Sequence, residues 1–185
     1  MKSLRGRLLI AAPGLTDPNF HRTVVLIAAH SETGTLGLIL NRETDTDFAE
    51  VWRRISTQPC ARTEKLRHGG PVTGSLMALH DQRPQADILV ADGIYVATEL
   101  AAMESLAASA EGRVLFYAGH AGWGPGQLED ELAEGSWLLA TASAEHVFDL
   151  WDAASLWKTA ATAAGRREVH ELVEPRHIPE DPRAN

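Results

Sequence analysis

Few stretches of this chain carry residues suited to chemistry, and the first is the run 119–132, Gly-His-Ala-Gly-Trp-Gly-Pro-Gly-Gln-Leu-Glu-Asp-Glu-Leu. Residues 113–117 before it read as a buried strand, and residues 127–134 after it as a short helix. A strand, a glycine-rich loop and a helix N-terminus together collect backbone N–H groups and a dipole that favours anions. The spacing decides against a nucleotide loop. Gly119, Gly122, Gly124 and Gly126 do not make Gly-x-Gly-x-x-Gly, and no Lys-Ser or Lys-Thr follows. Glu129, Asp130 and Glu131 already complement the helix dipole and repel a phosphate. The preferred reading is a shaped turn: glycines permit positive φ, Pro125 keeps Gly124 out of the α region, and Trp123 plugs the core.

Asp17, Asn19 and His21 alternate, so an extended backbone would place them on one face, a spacing compatible with metal ligation. Pro18 favours a turn instead, with Asp17 and Asn19 bonding their own backbone. No second cluster has ligand spacing, so neither a metal nor a cofactor is expected. Ser75 follows Gly74, but Gly-Ser-Leu lacks the second glycine of a nucleophile elbow. Cys60 lies near Arg62 and Lys65, cations that favour a thiolate, although an inert loop cysteine is the preferred reading. The histidines at 30, 68, 80, 146, 170 and 177 are scattered and suit surface or capping roles.

A chain of 185 residues is one domain, large enough to bury roughly 70% of its unfolded surface without a staple. A single cysteine excludes an internal disulfide and a Cys-x-x-Cys pair, and suits a reducing cytoplasm. The N-terminal apolar run, residues 8–12, is too short for a signal-peptide core, and nothing elsewhere approaches a membrane span. The net charge of −8 argues against nucleic acid as a default partner. It is uneven: residues 1–42 hold five basic and two acidic residues, whereas residues 101–165 hold two basic and nine acidic ones. A basic N-terminal face therefore remains available.

The elements follow from periodicity and punctuation. Strands are expected at 7–12, 23–29 and 35–40, the last two as a hairpin. Asp47 is expected to cap a helix that buries Phe48, Val51, Trp52 and Ile55, with Glu50 as its capping-box partner and Arg53 and Arg54 near its end. Residues 56–65 read as a loop. Short strands follow at 66–68 and 76–80, and Asp92-Gly93 signals a hairpin of strands 88–91 and 94–97. Thr98 is expected to cap a helix burying Leu100, Met103, Leu106, Ala107 and Ala110, stopped by Gly112. A strand at 136–140 and a helix at about 153–164 complete the domain. That helix would have Asp152 as cap, a Trp151–Leu156 staple and Gly165 as stop. The domain spans 1–165, and residues 166–185, polar and proline-containing, form a surface tail. Hairpins outnumber β-α-β units, which makes the class α+β.

Five motifs occur in order over residues 6–157: Gly6-Arg7-Leu8-Leu9-Ile10-Ala11-Ala12-Pro13; Asp17-Pro18-Asn19-Phe20 with Arg22-Thr23-Val24-Val25; Gly37-Leu38-Ile39-Leu40-Asn41-Arg42; His68-Gly69-Gly70-Pro71-Val72; and 121–128 with Trp137. With these the chain resembles the YqgE/AlgH family. The resemblance implies a single α+β domain with a largely antiparallel, barrel-like and partly bifurcated sheet surrounded by helices. It also implies a bacterial cytoplasmic protein commonly labelled a transcriptional regulator. No reaction, cofactor or catalytic residue comes with it. Glu43 and His120 depart from the proline and tyrosine common in relatives.

The expectation is a cytoplasmic, non-enzymatic regulatory or binding protein acting through a protein or small-ligand partner, with no membrane association. The alternatives are a DNA-binding regulator and a small-molecule enzyme using the glycine loop. Sequence-specific DNA binding by the isolated protein is not expected, because no helix pair presents a basic recognition helix. Asn41 and Arg42, Gly69 and Gly70, and the run with His120, Trp123, Gly126 and Gln127 each follow an expected strand. If these three turns converge, they form a site with Arg42 as its fixed charge.

Overall fold

A computed structural model describes residues 3–149 and 157–162. Its centre is a ten-stranded sheet, formed by β1 (Arg7–Ala11), β2 (Val24–Ser31), β3 (Gly34–Ile39), β4 (Glu43–Asp47), β5 (Lys65–His68), β6 (Val72–His80), β7 (Ile88–Ala91), β8 (Ile94–Ala97), β9 (Val114–Trp123) and β10 (Trp137–Thr141). The helices are α1 (Phe48–Ile55), α2 (Leu100–Ala108), α3 (Gln127–Ala133) and α4 (Ala144–Phe148). Residues 157–162 are also helical. The hairpins expected around residues 32–34 and 92–93 are present, and the protein is α+β.

The main path runs β10-β1-β2-β3-β9-β6-β8-β7, and β5 joins β4 to β9 as a branch. All ladders are antiparallel except β5–β9. The sheet curls until β7 packs beside β2, where a side chain at Gly6 would touch the Val90 carbonyl, yet among the described residues no ladder closes the barrel.

Both faces of the central strands are covered, which explains why they read as continuous apolar runs. In β1 and β2, Leu8, Ile10, Val24 and Leu26 face the inside of the curl, where Val147 and Phe148 of α4 pack in the same core. Leu9, Ala11, Val25 and Ile27 face outward beneath Trp123, Leu128 and Trp137. A second outer layer packs Phe48 and Trp52 of α1 and Met103, Leu106 and Ala107 of α2 on Phe116. The Phe48 and Phe116 rings stack with centroids 3.5 Å apart.

Several local expectations are corrected. Asp47 occupies the N-cap position of α1 but makes no capping bond, because its carboxylate is 2.7 Å from Lys65 Nζ. Ile55 is half exposed rather than buried. Glu99, not Thr98, is the N-cap of α2, and Leu100 and Ala110 are exposed. Asp87 caps that helix from outside by accepting from the N–H groups of Thr98 and Glu99. β6 begins four residues before the expected 76–80 strand, and β4 and α4 had no sequence signal strong enough to place them. The cap, staple and stop assigned to residues 151, 152, 156 and 165, and the tail 166–185, lie outside the described residues.

His80 is fully buried, accepts at Nδ1 from the Gln82 N–H, and has no partner at Nε2 among the described residues. Burial holds its pKa below the ordinary imidazole value, against the pull of Asp81 and Asp87. The unfolded chain therefore takes up a proton near pH 6.5 that the folded chain resists. Stability from this group is complete above about pH 6.5 and is lost as pH falls below it. The thermal midpoint is expected to drop between pH 7.5 and 5.5, and the drop to be smaller in His80→Phe. Equal pH slopes in the two proteins would contradict this assignment.

Candidate functional site

The glycine-rich run is mostly strand. β9 continues through Gly119-His120-Ala121-Gly122 to Trp123, and only residues 124–126 form the turn before α3. β9 carries two partners in succession along one edge. Tyr117 and Ala118 pair with Arg67 and His68 of β5, and Ala121, Gly122 and Trp123 pair with Gly37, Leu36 and Thr35 of β3. The sheet forks between them, and Gly69-Gly70 fills the crotch. The Gly69 N–H donates to the Ala118 carbonyl, and the Gly69 carbonyl accepts from the Ile39 N–H. A Cβ on Gly69 would overlap the Gly119 carbonyl, and one on Gly70 would overlap the backbone of His120 and Ala121. The motif glycines thus let three backbones approach closely.

The three expected turns do not all converge. Arg42 and His68 are neighbours, since the His68 N–H donates to the Arg42 carbonyl, so the first two turns meet at the fork. The third lies at the other end of β3, where Thr35 pairs with Trp123. Asn41 is a structural bridge: its Oδ1 accepts from the Val24 N–H and its Nδ2 donates to the Arg22 carbonyl, each at 2.9 Å. It thereby braces Arg22, whose φ is +56°. Arg42 Nη2 donates to the His21 carbonyl.

Trp123 is buried, and its Nε1 donates to Glu131 Oε2, which also accepts from Trp137 Nε1. Phe20 packs against both indoles. Gln127 folds back to accept from the Gly124 N–H and to donate to Glu131 Oε1, and Gly126, at φ +75°, is the N-cap of α3. Asp17, Asn19 and His21 form a turn: Asp17 Oδ1 accepts from the Asn19 N–H, and His21 Nδ1 lies 3.0 Å from the Leu15 carbonyl. The cations near Cys60 are engaged elsewhere, Arg62 with carbonyls and Lys65 with Asp47.

The concavity in this region lies on the α1 side of the fork. It is an open groove of about 330 Å³ lined by Val51 and Ile55, by Leu76, and by the polar rim of His68, Thr73 and Ser75. Gly70, Gly74, Ala118 and Gly119 complete it, and none of its lining side chains is Asp, Glu, Lys or Arg. Of the expected site residues, only Gly70 lines it. A bulge creates the rim. The β6–β9 register jumps from Val72↔His120 to Leu76↔Ala118, which leaves residues 73–75 facing Gly119 alone. Ser75 Oγ then sits 3.0 Å from His120 Nδ1. No sequence signal marks this contact, because it joins residues 45 apart through an irregular register. Gly74-Ser75 and His120 were each visible, but nothing in the sequence paired them.

A forked, open α+β sheet with a groove free of Asp, Glu, Lys and Arg beside the fork defines the architecture. The chain belongs to the AlgH-like family, whose model matches residues 8–168. It is 38% identical over 169 residues to a UPF0301 protein from Myxococcus xanthus, covering 89% of this chain and 93% of that one. A UPF0301 protein from Streptomyces avermitilis is 36% identical, covering 100% of this chain and 97% of its own length. Among solved structures, the AlgH protein from Pseudomonas aeruginosa matches with a TM-score of 0.73 at 30% identity, covering 97% of this chain and 100% of that chain. A protein from Corynebacterium diphtheriae matches at 0.70 and 26% identity, covering 86% of each.

Proposed function

We propose that this is a cytoplasmic regulatory protein that works by binding, and that the α1–fork groove receives its protein or small-ligand partner. The observation that carries the reading is the groove itself, with half-exposed Ile55 on one wall, half-exposed Val72 close by, and a polar rim without fixed charge. Apolar concavities with a few placed polar groups are where ligands and partner side chains bind. An uncharged lining favours a neutral or apolar contact over a phosphate. Turnover is disfavoured because His120 has no carboxylate bonded to it among the described residues, so its imidazole lacks the orienting group of a full triad. Among the described residues no helix is long and apolar enough to cross a membrane.

A DNA-binding role is the second reading, prompted by the family's common label. It finds little support in the elements: α1, which carries Arg53 and Arg54, is followed by a loop and β5 rather than by a recognition helix.

The test is capture from host cytosol with the wild type, Ile55→Glu and Leu100→Glu in parallel. Both substituted residues are half exposed, so the thermal midpoints should stay close to wild type. A partner retained by wild type and Leu100→Glu and lost by Ile55→Glu is the expected result. Equal retention by all three proteins would place the binding surface elsewhere. A salt-dependent shift of one promoter fragment at nanomolar protein would favour the DNA reading, since non-specific affinity is normally about 10⁻⁴–10⁻⁶ M.

A further inference from the structure

Ser75 lines the groove, and its Oγ lies 3.0 Å from Nδ1 of His120, which is not itself among the lining residues. A hydroxyl bonded to an imidazole beside a cavity is the pairing a serine nucleophile needs. The bulge that presents Ser75 is held open by Gly74 at φ +90°, where nothing lies within 4 Å of a Cβ position. Neither residue's role is explained by the fold: the Ser75–His120 bond sits at the irregular part of the β6–β9 ladder, which regular pairing would hold without it.

We propose that Ser75 is a covalent acyl-acceptor site, taking an acyl group from an activated thioester or aryl ester whose chain lies in the groove. The proposal rests on the groove being the binding site. In the step, Ser75 Oγ bonds to the acyl carbon while its proton passes to His120 Nδ1. The bond from that carbon to the leaving thiolate or phenolate breaks, and the leaving group takes up the proton from His120. The products are O-acyl-Ser75 and a free thiol or phenol. The O-acyl-serine is an alkyl ester with a far poorer leaving group than the thioester or aryl ester consumed. Among the described residues no carboxylate orients His120, so the acyl group stays on the protein and the outcome is a modification and not turnover. The apolar wall of Val51, Ile55 and Leu76 selects medium-length aliphatic acyl chains over acetyl.

The experiment uses p-nitrophenyl octanoate and p-nitrophenyl acetate on the full chain, read by nitrophenolate release, intact mass and peptide mapping. One octanoyl group per chain on Ser75 is expected, with a burst and no sustained turnover. The adduct should be absent in Ser75→Ala and form about a hundredfold more slowly in His120→Gln, the usual scale of general-base assistance. Thermal midpoints check folding, and His120→Tyr replaces His120→Gln if that variant unfolds. Absence of label on Ser75, or an unchanged rate in the folded His120 variant, overturns the proposal. A labelled Ser75 with no preference for octanoyl and no effect of Ile55→Glu leaves the nucleophile standing and removes the groove as the binding site. Loss of partner capture in Ile55→Glu without any Ser75 label does the reverse.

Discussion

Gly70→Ala should be among the most damaging single substitutions in this protein, lowering stability by about 3 kcal/mol or more, which combines backbone strain with overpacking. Gly70 has φ +151°, and an added Cβ would overlap the His120 carbonyl group and the Ala121 nitrogen. None of these atoms is the end of a flexible side chain, so relief requires the fork to open. For a chain of this size the thermal midpoint should fall by roughly 6–12 °C. Gly126→Ala is the matching control. Gly126 also has positive φ, but nothing lies within 4 Å of its Cβ position, so only the backbone cost of about 1–2 kcal/mol applies. Thermal and urea unfolding of both variants decide the matter. Equal losses would mean that the close approach at the fork contributes nothing beyond conformation.

The second large effect is expected at Arg62, whose side chain is almost wholly buried. Its Nε donates to the Leu106 carbonyl at 2.8 Å, Nη2 to Glu111 at 2.6 Å and Nη1 to Gly112 at 3.3 Å. α2 has no basic residue in its last turn, so the loop before β5 supplies the cation that its C-terminal end lacks. Arg62→Met retains most of the bulk but removes all three bonds, leaving the Leu106 carbonyl without its side-chain donor while Gln82 Nε2 still serves Glu111, and should cost about 3 kcal/mol. Arg62→Lys should recover only part of this, because one ammonium cannot reproduce the planar fork. The ordering wild type, Lys, Met in unfolding midpoint is the measurement; Lys equal to wild type would mean that charge alone suffices.

How far the sequence reveals this protein depends on whether a feature is local. The 92–93 turn and both strands beside it are legible because Asp92-Gly93 and its flanking β-branched residues act within a few positions. The face of α1 is legible at Phe48 and Trp52 for the same reason, and fails at Ile55, which is half exposed and lines the open groove. The glycines of 119–126 read as a loop, because glycine marks both turns and close backbone approach; only the arrival of residues 69–70 from elsewhere separates the two. Thr98 and Asp47 look like caps in sequence, but Asp87 and Lys65, distant along the chain, redirect them. The family resemblance carries the fold correctly because ordered motifs encode the whole arrangement. The candidate site is legible only in pieces, at Gly70, Gly74, Ser75 and His120, since a bulge sets their mutual placement.

The pairing of β1 with β10 has a consequence for biosynthesis. β1 is made shortly before its partner β2, but its other edge pairs with Trp137–Thr141, far later in the chain. Until that segment has been made, the backbone of the apolar run Leu8–Ala11 presents an open, adhesive margin. The nascent chain therefore carries an open apolar edge for as long as the stretch between β1 and β10 is being made, an interval in which chaperone binding protects it.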